Sequence, residues 1–466
     1  MTGDGAEASY LALHTYTTQA QRTAEELGIY CLERLALDVP LDHPATPAAL
    51  EEAAGQTITG GGLGHAEALR LWTDVLAPTC ISVDHPRFLS FIPSAPSKAA
   101  AAFDMVVGAS SLYGGSWLES SGAVYAENQA LRWIADLAGL PAGAGGVFVQ
   151  GGTIGNLSAL VAARHAARNR SANPLPAGLG SVIVGRESHS SVRHNVEGVM
   201  DATIIEADSD EAGRLTGASL RRTVATLSDE QLASIFAVAA TAGSTNIGLV
   251  DDIAGIADVA AEYGWWLHVD GAYGGAALAA PSVRSLFDGI ERADSLIVDP
   301  HKWFFAPFDC CALIYADPAI AHAAHTQRAS YLDPITDTPE WNPSDYAIQL
   351  SRRARGLPFW FSLAVHGTQA YTDAIERTLS VAAEGAELIR RAEHLTLLTE
   401  PDLSILLFER NGWSGTEYYE WSSRLLTLGD AFVTPTRYRG APCARFAIVN
   451  PRTTVDDLAQ IVQSMR

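Results

Sequence analysis

The sequence predicts an α/β protein: a large domain with a mostly parallel sheet, a small α+β C-terminal domain, and a helical segment in front. Three observations predict it. Short, largely apolar runs recur through the middle of the chain. Helical patterns fill the intervals between them. The 466 residues, 48% apolar and 18% charged, are enough to bury a large core. A strand that is apolar on both faces must be covered on both, as in a parallel sheet flanked by helices.

Taken in order, residues 1–84 read as helices and loops. Leu27–Leu37 and Ala66–Leu76 have helical spacing, and no strand-rich core accompanies them. This segment is expected to wrap another domain or a partner subunit. Residues 85–358 form the large domain. Its strands are expected at Val147–Val149, Ser181–Val184, Ile235–Ala239, Trp265–Val269, Ser295–Val298 and Ala312–Tyr315, with helices such as Asn156–Asn169 and Ile253–Tyr263 between them. Residues 359–466 form the small domain. A long helix (Phe359–Leu395) leads to a strand at Leu403–Phe408, a helix near Tyr418–Leu426 and a strand at Ala444–Val449.

Composition excludes several partners. A net charge of −22 argues against nucleic acid and anionic membrane. The five cysteines are scattered, with no CxxC pair and no metal-ligand spacing, so a reduced, cytoplasmic, metal-free protein is expected. Met1–Ser9 lacks the basic-then-apolar pattern of a signal peptide, and no apolar run is long enough to cross a bilayer.

The chemistry is expected at strand ends, where ligands gather in parallel sheets. Asp270 closes the run Trp265–Val269, and Lys302 follows the run Ser295–Val298. A buried carboxylate needs a partner. A lysine among Trp303, Phe304 and Phe305 is partly desolvated, which would lower its pKa and favour the nucleophilic amine. This pair suits pyridoxal phosphate: the lysine holds the aldehyde as a Schiff base, and the carboxylate keeps the pyridine nitrogen protonated. Ala272 is small enough to lie under a flat ring. Gly151–Asn156 turns from a strand into a helix and could cradle a phosphate, with Thr153 adding a hydroxyl, although a plain tight turn would look the same. His189 could stack on a ring or simply occupy a polar loop. Thr245 brings a hydroxyl to another strand end. Asp251-Asp252 reads as a helix N-cap.

Together these residues resemble the group II pyridoxal-phosphate-dependent decarboxylases, the family of aromatic-L-amino-acid and glutamate decarboxylases. The matching stretches are His85-Pro86-Arg87-Phe88, Gly151–Asn156, His189-Ser190-Ser191-Val192, Leu267–Tyr273, Asp299-Pro300-His301-Lys302-Trp303 and Arg445-Phe446-Ala447-Ile448, in the family's order. The resemblance implies the fold type I architecture of pyridoxal-phosphate enzymes, in a homodimer with active sites at the subunit interface. It implies Lys302 as the Schiff-base lysine, Asp270 as the pyridine-nitrogen partner and His189 as the ring-stacking residue. Gly152, Thr153 and His301 would lie near the phosphate and Thr245 near the ring hydroxyl. Phe91, Tyr113, Gly115 and Arg445 would contact the substrate. Tyr331 resembles the loop tyrosine that reaches the partner's site and protonates the substrate carbon after carbon dioxide leaves. Family members with phenylalanine there tend to release aldehydes.

Three departures stand out. Asp299 replaces the asparagine of animal aromatic decarboxylases. A carboxylate there would repel a phosphate, so Asp299 is expected to turn away or find a cation. Tyr113 and Gly115 replace an aliphatic and an aromatic residue of the substrate pocket. The loop after Tyr331 is rich in Pro, Asp and Thr. The function implied is decarboxylation of an aromatic or bulky L-amino acid to its amine. Oxidative deamination to an aldehyde and β-elimination stay open as alternatives on the same fold. A non-catalytic member is disfavoured by the presence of both Lys302 and Asp270.

Overall fold

The strands Gly145–Val149 (β1), Ser181–Val184 (β2), Thr203–Glu206 (β3), Ile235–Thr241 (β4), Trp266–Asp270 (β5), Ser295–Val298 (β6) and Cys311–Tyr315 (β7) form one sheet in the order β1-β7-β6-β5-β4-β2-β3. The structure is a computed structural model describing residues 14–171, 174–176, 178, 180–330, 332 and 339–466. Pairs from β6 through β5, β4 and β2 to β3 are parallel, and β7 alone runs antiparallel to its neighbours β1 and β6. This is the mostly parallel sheet that the apolar runs predict.

Both faces are covered. Leu296, Val298, Ala312 and Ile314 point into one apolar cluster, and Ile297, Cys311, Leu313 and Tyr315 into the other. The alternation explains why these strands read as continuous apolar runs. Ser181–Val184 and Ser295–Val298 stand as expected, and the other four strands differ by one or two residues at an end. The sequence reading missed β3 altogether. It is one of the two edge strands, and Thr203 and Glu206 are exposed, so it carries no apolar run.

A second sheet, of Leu395–Leu397 (β8), Ile405–Arg410 (β9), Thr436–Tyr438 (β10) and Ala441–Ala447 (β11), has the order β10-β11-β9-β8 and is antiparallel throughout. The long helix before it runs Leu357–Arg391 and breaks at Gly367, whose φ of 73° suits only glycine. It stops short of Leu395, which belongs to β8 instead. At the front, the helix Thr18–Ala36 is capped by Thr17 and buries none of its residues. Among the described residues, no helix is long and apolar enough to cross a membrane.

The Asp251-Asp252 pair corrects the capping expectation by half. Asp252 does cap the helix Ile253–Tyr263, accepting from Gly255 N at 3.0 Å. Asp251 is buried and accepts from Leu215 N at 2.8 Å and Thr241 N at 2.7 Å, tying the end of β4 to a neighbouring loop. Burial pushes its carboxyl up to about 7 against the pull of those two donors.

Candidate active site

The eight residues expected to bind the cofactor, Gly152, Thr153, His189, Thr245, Asp270, Ala272, His301 and Lys302, line one cavity of about 310 Å³. It lies at the carboxyl ends of β4, β5 and β6. Register explains the convergence: Thr241 pairs with Asp270, and Asp270 with Ile297, so the parallel strands end side by side. Gly243, with φ of 102°, makes the turn toward Thr245, and a Cβ there would lie 2.8 Å from Gly274 Cα.

Asp270 is buried at 6% exposure. Its Oδ2 accepts from Asn156 Nδ2 at 2.9 Å and its Oδ1 from Ala272 N at 3.1 Å. His189 caps the short helix Ser190–Arg193, its Nδ1 2.8 Å from Ser191 Oγ. His301 Nδ1 lies within 3.0 Å of both backbone groups of Cys310, and burial pulls its imidazole down.

Asp299 finds its cation in Lys302. Its Oδ2 is 3.0 Å from Lys302 Nζ and 3.7 Å from His301 Nε2. Burial alone would raise the Asp299 carboxyl, but Lys302 and His301 outweigh it and hold it below the usual carboxylate range. Lys302 reverses the expectation of a depressed amine. Burial pulls it down most strongly of any one cause, but the Asp299 and Asp270 carboxylates together, with Asp299 also hydrogen-bonded to it, lift it above the ordinary lysine value.

The cavity fits pyridoxal phosphate. The helix Gly152–Arg168 opens at Gly151 without a side-chain cap, which leaves its first amides for an anion. A Cβ on Gly152 would lie 3.3 Å from both Ala272 Cβ and Asp299 Oδ2, so the backbone stays open to the cavity. Gln150 on the cavity wall has a buried Oε1 with no hydrogen-bond partner among the described residues. An amine for the aldehyde, a carboxylate for the ring nitrogen and an uncapped helix end for the phosphate therefore face one space.

The expected substrate residues lie elsewhere in the single chain. Phe91, Tyr113, Gly115 and Arg445 are not among the residues lining this cavity. The Arg445 head is engaged: it donates to the Phe91 carbonyl, and burial brings its guanidinium down to about 10. Phe91 sits at φ of 53° with its side chain exposed. The Tyr113 phenol lies over Gly115, where a Cβ would collide with it, and its hydroxyl donates to Leu350 O at 3.0 Å. Tyr331 lies outside the described residues.

Sequence reasoning missed Asn156, His268, Phe308 and Asp309. His268 had a signal, because strand alternation puts it on the same face as Asp270. Phe308 lines the cavity, 53% exposed, with its ring 4.9 Å from that of His301. Asp309 lines it too and pairs with Arg355.

Comparison with known proteins agrees with this geometry. The model of the pyridoxal-dependent decarboxylase conserved domain matches residues 67–411. Aromatic-L-amino-acid decarboxylase of Bacillus atrophaeus is 29% identical over 395 residues, 82% of this chain and 81% of that protein. L-2,4-diaminobutyrate decarboxylase of Rhizobium meliloti (strain 1021) is 30% identical over 394 residues, 82% of this chain and 78% of that protein. The fold matches the crystal structure of Oryza sativa TDC with PLP and tryptamine at a TM-score of 0.85, covering 100% of this chain and 99% of that one at 24% identity. The chain therefore belongs to the pyridoxal-dependent decarboxylase family, pyridoxal-phosphate enzymes that decarboxylate amino acids.

Proposed function

We propose that this enzyme converts an L-amino acid with an aromatic or otherwise bulky side chain to its amine. The observation that carries the reading is that Lys302, Asp270 and His189 face one cavity at the ends of parallel strands. When bound, pyridoxal phosphate supplies an electron sink for the pair left behind by departing carbon dioxide. Lys302 Nζ would hold the cofactor's aldehyde carbon and give way to the substrate amine. Asp299, 3.0 Å from Lys302 Nζ, would keep the released lysine amine protonated. Asp270 would accept from the pyridine N–H, with Asn156 and Ala272 fixing its two oxygens. The uncapped helix end and Thr153 would hold the phosphate. Tyr331 is assigned the return of a proton to Cα on its place in the sequence. The exposed ring of Phe308 on the cavity wall favours an apolar side chain.

The test is a panel of amino acids run with the reconstituted enzyme, with and without oxygen. Turnover of aromatic or bulky substrates to amine and carbon dioxide is the expected result. Turnover confined to L-2,4-diaminobutyrate or other small cationic substrates would overturn the side-chain assignment. Tyr331→Phe is expected to divert product from amine toward aldehyde, and an unchanged product ratio would remove Tyr331 from the proton step.

The same reading includes a homodimer. Leu27, Ile29 and Leu32 on the helix Thr18–Ala36 are 45%, 56% and 65% exposed, and Met105, Val106, Leu118 and Tyr125 are also exposed. A helix that buries nothing of its own gains its stability by packing on another surface. Sedimentation is expected to give twice the 49.5 kDa chain mass. Sedimentation at the single-chain mass would sink the dimer.

A further inference from the structure

We propose that Trp266, Ser295, His268 and Asn156 form a one-way hydrogen-bond relay that fixes where protons sit on Asp270 and His189. The inference rests on reading this cavity as the cofactor site. It concerns how the side chains there are held ready, and it makes Asn156 and His268 positioning residues.

The relay is a continuous chain of short contacts. Trp266 Nε1 donates to Ser295 Oγ at 2.8 Å, and Ser295 Oγ lies 2.9 Å from His268 Nδ1. His268 Nε2 lies 2.8 Å from Asn156 Oδ1. Asn156 Nδ2 reaches Asp270 Oδ2 at 2.9 Å and Ser191 Oγ at 3.2 Å. Ser191 Oγ in turn lies 2.8 Å from His189 Nδ1. Trp266, His268 and Asp270 share one face of β5, and the register sets Ser295 opposite His268. Ser295 and His268 are fully buried, and Asn156 is nearly so.

Both ends impose the same direction. An indole N–H only donates. Ser295 Oγ therefore accepts from Trp266 and must pass its own proton to His268 Nδ1. The His268 proton then sits on Nε2 and goes to Asn156 Oδ1, which leaves the Asn156 amide nitrogen facing Asp270. From the other end, an Asp270 carboxylate only accepts, so Asn156 must present Nδ2 to it. Reversal fails twice. Two oxygens would face each other at the Asn156–Asp270 contact. Ser295 Oγ would take two donors, and its own proton would find no acceptor among the described residues. Such buried, unmade bonds are disfavoured. Burial also brings His268 down to about 4 against the pull of Asp270 and of the Ser295 backbone, so it stays the neutral ring that the relay needs.

The branch through Ser191 sets the second group. Ser191 Oγ accepts from Asn156, so its proton goes to His189 Nδ1. Ser191 N also donates to that atom at 3.2 Å. Two donors at Nδ1 place the proton of the His189 ring on Nε2. One indole thus orders two side chains of the cavity: Asp270 as a pure acceptor and His189 as an Nε2–H ring.

The direct test is ¹⁵N imidazole spectroscopy of the full chain, cofactor-loaded and cofactor-free, near neutral pH. The expected result is a proton on Nε2 alone in both His268 and His189. A proton on Nδ1 of His268 would overturn the relay. Ser295→Ala cuts Trp266 off. It is expected to shift the His268 Nδ1 signal, which loses its donor, while the proton stays on Nε2, and to lower kcat about tenfold with KM within about twofold, and Ser295→Thr should restore both. Unchanged ring signals in Ser295→Ala would also sink the proposal. If that variant does not fold, the spectrum of the unaltered chain still decides. Expected tautomers without decarboxylation of any amino acid would leave the relay standing and remove the proposed reaction. Decarboxylation with the opposite His268 tautomer would remove the relay alone.

Discussion

Lys302→Ala is expected to lower kcat by more than about a thousandfold and to abolish the visible absorption of lysine-bound cofactor. The same change should also weaken the fold. Asp299 is 2% exposed, and Lys302 Nζ at 3.0 Å is its closest cation. Removing one partner of a buried pair leaves the other charge uncompensated, at about 3–5 kcal/mol when burial is complete. The Lys302 side chain keeps 21% of its exposure, so a cost of roughly 2–3 kcal/mol is expected here. The signs agree over neutral pH. Asp299 is held below its ordinary value, so its contribution is complete above the usual carboxylate range and is lost as pH falls through the lowered value. Lys302 is held above its ordinary value, so its contribution is complete below the usual lysine range and is lost as pH rises through the raised one. The check is a urea midpoint on cofactor-free protein. Adding Asp299→Asn to Lys302→Ala should recover most of the lost stability without recovering activity. If Lys302→Ala alone keeps the original midpoint, the pair contributes nothing to the fold.

This pair also marks how far the sequence could be read. Asp270 and Lys302 were legible because β5 and β6 are apolar on both faces, so a charged residue at either end stands out. The family resemblance followed from the same segments. The direction of the Lys302 shift was not legible. The aromatic neighbours are adjacent in sequence, but Asp299 acts through the turn in which Lys302 N donates to Asp299 O at 2.9 Å. His268 inside an apolar run looks like an ordinary core residue, and Asn156 lies in a helix rich in alanine and leucine. Strand alternation places His268 beside Asp270, but its contact with Asn156 spans 112 residues of sequence and only the fold shows it. Arg445 stands in a recognisable stretch, Arg445–Ile448, but the partner of its head was not legible there: in the folded chain it donates to the Phe91 carbonyl.

Glu127→Ala is expected to be the most destabilising single change outside the cavity, at about 3–5 kcal/mol. Glu127 and Arg352 are 2% and 0% exposed. The carboxylate accepts from Arg352 Nη1 at 2.8 Å and Nη2 at 3.0 Å, and from Gly356 N at 2.7 Å. Such a two-pronged geometry is the strong form of the contact. Truncation strands a guanidinium in the core, and the nearby carbonyls cannot neutralise it. The same guanidinium holds the carbonyls of Phe148 at the end of β1 and of Gly114 in the Tyr113–Gly115 turn. Loss of the carboxylate should therefore loosen that turn as well as the core. If Tyr113 and Gly115 shape the substrate pocket, KM should rise several-fold while the cofactor's absorption stays in place. Replacing both partners, Glu127→Met with Arg352→Met, removes the stranded charge and should return much of the stability, because a well-packed apolar pair often matches a buried ionic one. The KM defect should persist in that double variant, because Arg352→Met removes the donor of the Gly114 carbonyl. Recovery of KM together with stability would mean that Arg352 acts on the core alone and that the Tyr113–Gly115 turn is held by other contacts.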